Sequence, residues 1–182
     1  MARLRARDLE ALGDLYRELG GAMTTLARSL LRDADDADDV VEQALLRVRD
    51  AIEGLRDPRA LRAWTLRIVT RLCRDRQRQQ RRLAGPPEAH DPLEHAGLRI
   101  DPVAEIDAGI DRARVLAAIE RALRRLPAPQ REVVVLRDRM TLSGAEAAAV
   151  LGIREGALRV RLLRARQALR RELGREWREG PA

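Results

Sequence analysis

The segment Thr141–Leu173, TLSGAEAAAVLGIREGALRVRLLRARQALRREL, limits the possible folds more than any other part of the chain. Ser143 with Glu146 three residues later is a capping box, in which side chains bond to otherwise orphaned backbone groups at a helix start. Gly152 falls just past the short apolar run that follows, where a left-handed residue is wanted and the lack of a Cβ removes the penalty. A longer run then places Leu158, Leu162, Ala165, Leu169 and Leu173 in one narrow helical sector, with arginines around the rest. A short capped helix, a Leu-Gly turn and a long basic helix predict a helix-turn-helix whose second helix suits a major groove.

The remaining core has to be built almost without rings. Phe is absent and only two Trp and one Tyr occur, although 45% of the residues are hydrophobic. Leu, Val, Ile and Ala favour packed helices over a β-sandwich. The β-branched run Val133–Val135 is too short for a strand and sits in a helical pattern. The expected fold class is all-α, as two small helical domains joined by an extended linker. A chain of 182 residues has room for that.

Apolar spacing divides the chain further. Leu9, Leu12, Leu15, Leu19, Met23, Leu26 and Leu30 recur at helical intervals, with a bend or break expected at Gly20-Gly21. An acidic run, Asp33–Asp39, leads into a helix carrying Val41, Leu45, Val48 and Ile52, and its charges favour the helix dipole. Asp57-Pro58 reads as an N-cap with Pro at the first helical position. The helix it opens is expected to bury Leu61, Trp64 or Thr65, Ile68 and Leu72. Periodicity lapses over 83–109, where Pro86, Pro87, Pro92 and Pro102 accompany an excess of acids, so this stretch reads as a linker. Val115, Ile119, Ala122 and Leu126 then form one face, and Val133, Leu136 and Met140 the next. The expected domains are residues 1–82, the linker 83–109, and residues 110–176.

Charge is segregated along this framework. The net value is +7 and every basic residue is Arg. Arg62–Arg82 sets Arg62, 67, 71, 74, 76, 78, 81 and 82 against Asp75 alone, and Ile153–Arg178 is similarly basic. The stretch Arg32–Asp57 is acidic. A coding bias toward Arg explains the missing Lys as readily as selection does, but not the clustering, which points to localised binding surfaces. On the long C-terminal helix the sector opposite the core holds Gly156, Val160, Leu163, Arg164 and Gln167, with Arg159 at its edge. Arg159 and Arg164 can reach guanine edges or phosphates, and Val160 and Leu163 can touch thymine methyls or a partner helix. Gly156 allows close approach of the backbone.

Other function classes find little support. Cys73 stands alone, so no internal disulfide or cysteine metal set can form; it reads as a buried small residue, with a redox switch as the alternative. The only histidines, His90 and His95, lie in the linker. No phosphate-binding Gly loop, nucleophile elbow or paired-carboxylate motif occurs, so neither enzyme activity, a metal nor a cofactor is expected. No run approaches a membrane span and no signal-peptide pattern is present, so a cytoplasmic protein is expected.

Two stretches carry a family resemblance. Asp35–Arg82, DDADDVVEQALLRVRDAIEGLRDPRALRAWTLRIVTRLCRDRQRQQRR, resembles region 2 of the extracytoplasmic-function (ECF) group of sigma-70 factors. Arg114–Leu173, RVLAAIERALRRLPAPQREVVVLRDRMTLSGAEAAAVLGIREGALRVRLLRARQALRREL, resembles their region 4. The resemblance implies a subunit that binds core RNA polymerase and directs it to promoters. Asp38, Asp39, Glu42 and Gln43 match the segment that docks on the β′ clamp, and region 4 is expected to meet the β flap. Arg56, Asp57 and Arg59 match the loop that accepts a flipped −10 base, with Arg67, Arg71 and Arg74 close to the DNA backbone. Arg159, Val160, Leu163 and Arg164 match the −35 contacts. An anti-sigma factor is a further expected partner. The acidic linker resembles family linkers that thread the RNA path, although acids and prolines also simply keep a linker extended and soluble.

The chain departs from the pattern at several places. Glu42-Gln43 reverses the usual Gln-Glu, Leu stands for aromatics at 45, 55 and 61, Arg71 replaces Asn, and Ala157 replaces Thr. Leu preserves packing volume approximately but offers no ring for a base to stack on. Two other readings stay open on the sequence alone: a sigma-like adaptor or repressor that does not melt promoters, and an ordinary helix-turn-helix regulator.

Overall fold

A computed structural model describes Leu4, residues 8–83 and residues 112–179. Most of the linker expected over 83–109, with His90 and His95, lies outside the described residues.

Helix α1, Leu9–Leu30, opens where the Asp8 carboxylate accepts the Glu10 N–H at 2.9 Å. It runs unbroken through Gly20-Gly21, which corrects the expected bend. A methyl group on Gly20 would lie 2.8 Å from Cε2 of Tyr16, so this glycine makes room for a ring one turn earlier. Helix α2, Ala34–Ala51, starts at Asp33, whose side chain accepts the Asp36 N–H at 2.9 Å. Two 3₁₀ turns, Ile52–Gly54 and Pro58–Ala60, then reverse the chain into α3, Leu61–Leu83. Asp57 caps the second turn by accepting the Arg59 N–H.

The second half comprises α4 (Arg112–Arg125), α5 (Ala128–Val134), α6 (Gly144–Leu151) and α7 (Glu155–Glu179). Between α5 and α6 lies a single π-helical turn, Val135–Arg139, closed by the Met140 N–H on the Val135 carbonyl at 2.9 Å. Among the described residues there is no strand.

Helices α1, α2 and α3 pack on one another, and α4, α5 and α6 each pack on α7. The two halves also meet, α6 lying on α3 and α5 on α1, and their buried side chains form one continuous apolar cluster. That contact changes the face that α3 buries. Thr65, Leu66, Val69, Thr70, Leu72 and Cys73 are buried, while Leu61, Trp64 and Ile68 are only half-buried. The expected stripe was too narrow because it assumed a helix covered from one side. Leu66 and Val69 on α3, Met23 and Leu26 on α1, and Val133 and Leu136 in the second half are all fully buried. Each such side chain contributes about 1.5–3 kcal/mol relative to leaving it in water.

Candidate nucleic-acid interface

The outward face of α7 is set by what holds its inward face. Leu158, Ala165 and Ala168 are buried against the other helices of this half. Asp138, in the π turn, accepts a two-point bond from Arg166 at 2.5 and 3.0 Å. Farther along, the buried Glu176 takes Arg121 at 2.7 Å and Arg125 at 2.6 Å, and these cations hold its carboxyl below the usual range. A buried carboxylate needs such partners. The apolar pattern gave no sign of it.

The preceding turn fixes the approach of α7. The Ser143 hydroxyl accepts the Glu146 N–H at 3.2 Å and the Glu146 carboxylate accepts the Ser143 N–H at 2.8 Å, completing the expected capping box. Bonding to Ser143 holds the Glu146 carboxyl below its usual range. Gly152 is left-handed, with φ 67°, and the Ile153 and Gly152 N–H groups close back on the carbonyls of Ala148 and Ala149. Thr141, before α6, also has positive φ, 55°, a costly value for a β-branched residue. The Leu142 N–H bonded to the Leu136 carbonyl at 3.0 Å ties that turn down.

With α7 so held, Gly156, Arg159, Val160, Leu163, Arg164 and Gln167 all face solvent. Val160 is 51% and Leu163 60% exposed. Among the described residues neither Arg159 nor Arg164 forms an ion pair with a carboxylate, leaving both free to meet an anion. A helix with two arginines flanking two exposed aliphatics can offer charge to phosphates and methyl-sized contacts to thymine.

A second basic surface runs along α3. Arg67, Arg71 and Arg74 follow at intervals of four and three residues and share a side of the helix. Arg67 and Arg71 are exposed. Arg74 is half-buried and donates twice to Glu132 of α5, at 2.7 and 2.6 Å, a bond that raises its pKa further. Arg56, Asp57 and Arg59 sit in the exposed connection ahead of α3, where the Asp57 carboxylate is engaged as a cap. Leu55 beside them is 6% exposed and packs inward, so it is not a platform for a base.

The acidic face of α2 is the third surface. Asp38 takes Arg28 at 3.2 Å and Asp39 takes Arg76 at 3.1 Å, yet both carboxylates stay more than half exposed, and Glu42 and Gln43 are exposed with them. Leu46, 40% exposed, continues this face one turn on and escaped the sequence reading. Its omission from the Val41–Leu45–Val48 stripe was the available signal.

Sequence reasoning also missed Arg131 and Glu132. Arg131 is buried and donates to the carbonyls of Leu30, Arg124 and Leu126 at 3.0–3.1 Å. Burial, with Arg32 and Arg81 nearby, pulls its pKa below the usual value. Two charges directly before the apolar run Val133–Leu136 were the only hint. Among the described residues no cluster of His, Cys, Asp and Glu is arranged to hold a metal.

Known proteins share this arrangement. The family described as Sigma-70 region 2 matches residues 15–83, and Sigma-70, region 4 matches residues 116–169. The ECF RNA polymerase sigma factor SigM of Mycobacterium tuberculosis is 37% identical over 169 residues, covering 93% of this chain and 80% of SigM. The RNA polymerase sigma factor CnrH of Cupriavidus metallidurans is 33% identical over 92% of this chain and 89% of its own length. The solved structure of CnrH in complex with the cytosolic domain of CnrY superposes with a TM-score of 0.70 at 28% identity, covering 96% of this chain and 95% of the other. RpoE from Bartonella quintana, in complex with the anti-sigma factor NepR, gives 0.64 at 26% identity, covering 88% and 97%. The chain therefore belongs to the ECF group of sigma-70 factors, and its function is to direct transcription initiation by RNA polymerase at promoters.

Proposed function

We propose that this sigma factor works through three separate surfaces, each assigned to one partner. Asp38, Asp39, Glu42 and Gln43, extended one turn on by Leu46, form an acidic face with an apolar end that docks on the β′ clamp of core polymerase. Opposite charge speeds and orients that encounter, and the leucine supplies contact area. Arg56, Asp57 and Arg59 cradle an extruded −10 base, while Arg67, Arg71 and Arg74 grip the backbone beside it. Arg159, Val160, Leu163 and Arg164 read the −35 element in the major groove, and their half of the chain also meets the β flap. The working division is residues 1–82, the linker 83–109 and residues 110–176.

One observation carries this reading above the others. The α7 residues proposed to read DNA are all exposed on one side of a helix whose other side is buried through Leu158, Ala165 and Ala168 and held by Glu176, with Arg166–Asp138 at its flank. Side chains presented from a packed helix are held in a fixed array, which base reading requires. The chain acts in the cytoplasm, where the polymerase is; no helix among the described residues is long and apolar enough to cross a membrane. Two solved relatives are bound to a partner, NepR and the cytosolic domain of CnrY, and an anti-sigma factor is proposed here as well. The protein's part in initiation is binding and strand capture, without a catalytic group or cofactor of its own.

In-vitro transcription with purified core polymerase on a promoter library tests this. Transcripts are expected to start at a fixed distance from a shared two-part motif. Polymerase binding with random start sites would instead support an adaptor that does not melt promoters.

A further inference from the structure

Arginine crowds one place in the molecule beyond what the nearby carboxylates can answer. Arg131 is 9% exposed; its terminal nitrogens are engaged by the carbonyls of Leu30, Arg124 and Leu126, and its Nε is buried without a partner. Arg32, Arg81 and Arg124 lie close enough to lower its pKa, and among the described residues none of these three forms an ion pair with a carboxylate. Glu132, beside Arg131, is already held twice by Arg74. Like charges gathered in this way repel one another unless an anion joins them.

Two concavities open on this cluster and share Arg32. The smaller, about 270 Å³, is lined by Arg32, Arg81 and Arg131, by the amides of Gln77 and Gln80, and by an apolar wall of Leu30, Leu31 and Ala128. Each amide has one N–H engaged, at the Leu30 carbonyl and at Asp36, while its oxygen accepts nothing among the described residues. The larger, about 910 Å³, is lined by Arg32, Arg121, Arg124, Arg125 and Arg175, with Glu172 as its one carboxylate. Glu172 and Glu176 answer Arg121, Arg125 and Arg175 at 2.6–4.0 Å, which leaves Arg32 and Arg124 as its uncompensated charges.

We propose that these joined concavities bind a small polyphosphate anion, with Arg32, Arg81 and Arg124 as its ligands and the Arg131 charge beneath it. A guanidinium offers parallel N–H donors that match phosphate oxygens. Linked phosphates meet several arginines at once, which a lone phosphate or sulfate ion does not. A duplex presents its phosphates on a broad convex ridge, which does not enter a niche of this size. The apolar wall and the two amides suit the ring of a nucleoside carried on the same chain of phosphates. The site is separate from the three surfaces proposed above, and the inference does not rest on their roles.

The test is calorimetric titration of the full-length protein, at physiological salt, with tripolyphosphate, ATP and GTP. Tripolyphosphate should bind at a single site, and Arg32→Ala or Arg124→Ala should each weaken it about ten-fold, as expected for losing one charge-assisted contact. Both residues are exposed, so the variants should stay folded by circular dichroism. Arg170→Ala, an exposed arginine of α7 outside the cluster, should leave the affinity within about twofold. Nucleotides that bind like tripolyphosphate would support a site that reads the phosphate chain alone. Nucleotides that bind about ten-fold more tightly would support one that also holds the base in the niche. Absence of binding, displacement by sulfate at equal ionic strength, or an equal loss in Arg170→Ala would each overturn the proposal. So would an Arg32→Ala that weakens binding to a −35 duplex as much as binding to tripolyphosphate, since that would mark a contact to the DNA backbone instead.

Discussion

Helices α3 and α7 are similarly rich in arginine, and the structure treats them oppositely. On α3, Arg74 is bound by Glu132, Arg76 is held by Asp36 and Asp39, and Arg67 rests against the turn at Gly152. On α7 one arginine, Arg166, anchors the helix to Asp138, while Arg159 and Arg164 face water. Local charge therefore states that a surface can bind an anion, but not whether the folded chain already supplies one. The difference arises because α3 is packed from both sides and α7 from one.

The largest expected effect tests whether the halves share a core at all. Leu136 is fully buried in the cluster that runs across both. Leu136→Ala should cost about 2–5 kcal/mol and shift a single unfolding transition, followed by circular dichroism in denaturant. Two separated transitions, only one of them displaced, would show that the halves fold independently.

Next in size is the contrast between outward arginines. Arg164→Ala should weaken binding to a −35 duplex by about 10- to 100-fold, corresponding to about 1–3 kcal/mol for a lost base contact. Arg71→Ala, on the exposed side of α3, should leave that affinity within about twofold while reducing open-complex formation, since it removes the phosphate contact proposed for it. Equal losses in both assays would erase the proposed division between the two helices.

A last effect, absent at neutral pH, concerns Cys73, next in sequence to Arg74. Burial, helped by the Glu132 charge, pushes its thiol up to about 12 from an ordinary value of 9.0. The unfolded chain releases this proton first, so it binds fewer protons than the native state between those values, and stability should fall as pH rises from 9 toward 12. Below 9 the thiol is protonated in both states and contributes no slope. Urea unfolding at several pH values should show this fall in the wild type and a shallower one in Cys73→Ala. The same burial makes a redox role a poor fit, because the thiolate is the reactive form.

Much of the chain was legible before folding because the signals were local. The capping box at Ser143, the glycine at 152 and the cap at Asp57 each depend on backbone groups within four residues. The outward set on α7 followed from periodicity, since a helix packed from one side has one apolar face. The expected break at Gly20-Gly21 failed because a glycine's reason can be a neighbouring ring, here that of Tyr16. The face of α3 was drawn too narrow because periodicity does not count how many helices will cover it.

The sequence by itself determined the helices, their caps, the turn that aims α7, and the positions where arginine and carboxylate concentrate, because these follow from spacing along one chain. Only the tertiary structure decided which charges find each other. Arg74 and Glu132 are 58 residues apart in sequence, and Arg131 meets Leu30 across 101. Pairings of that kind are made by packing α5 onto α1 and α6 onto α3. Burial then gives them weight, since a charge removed from water must be answered by a partner.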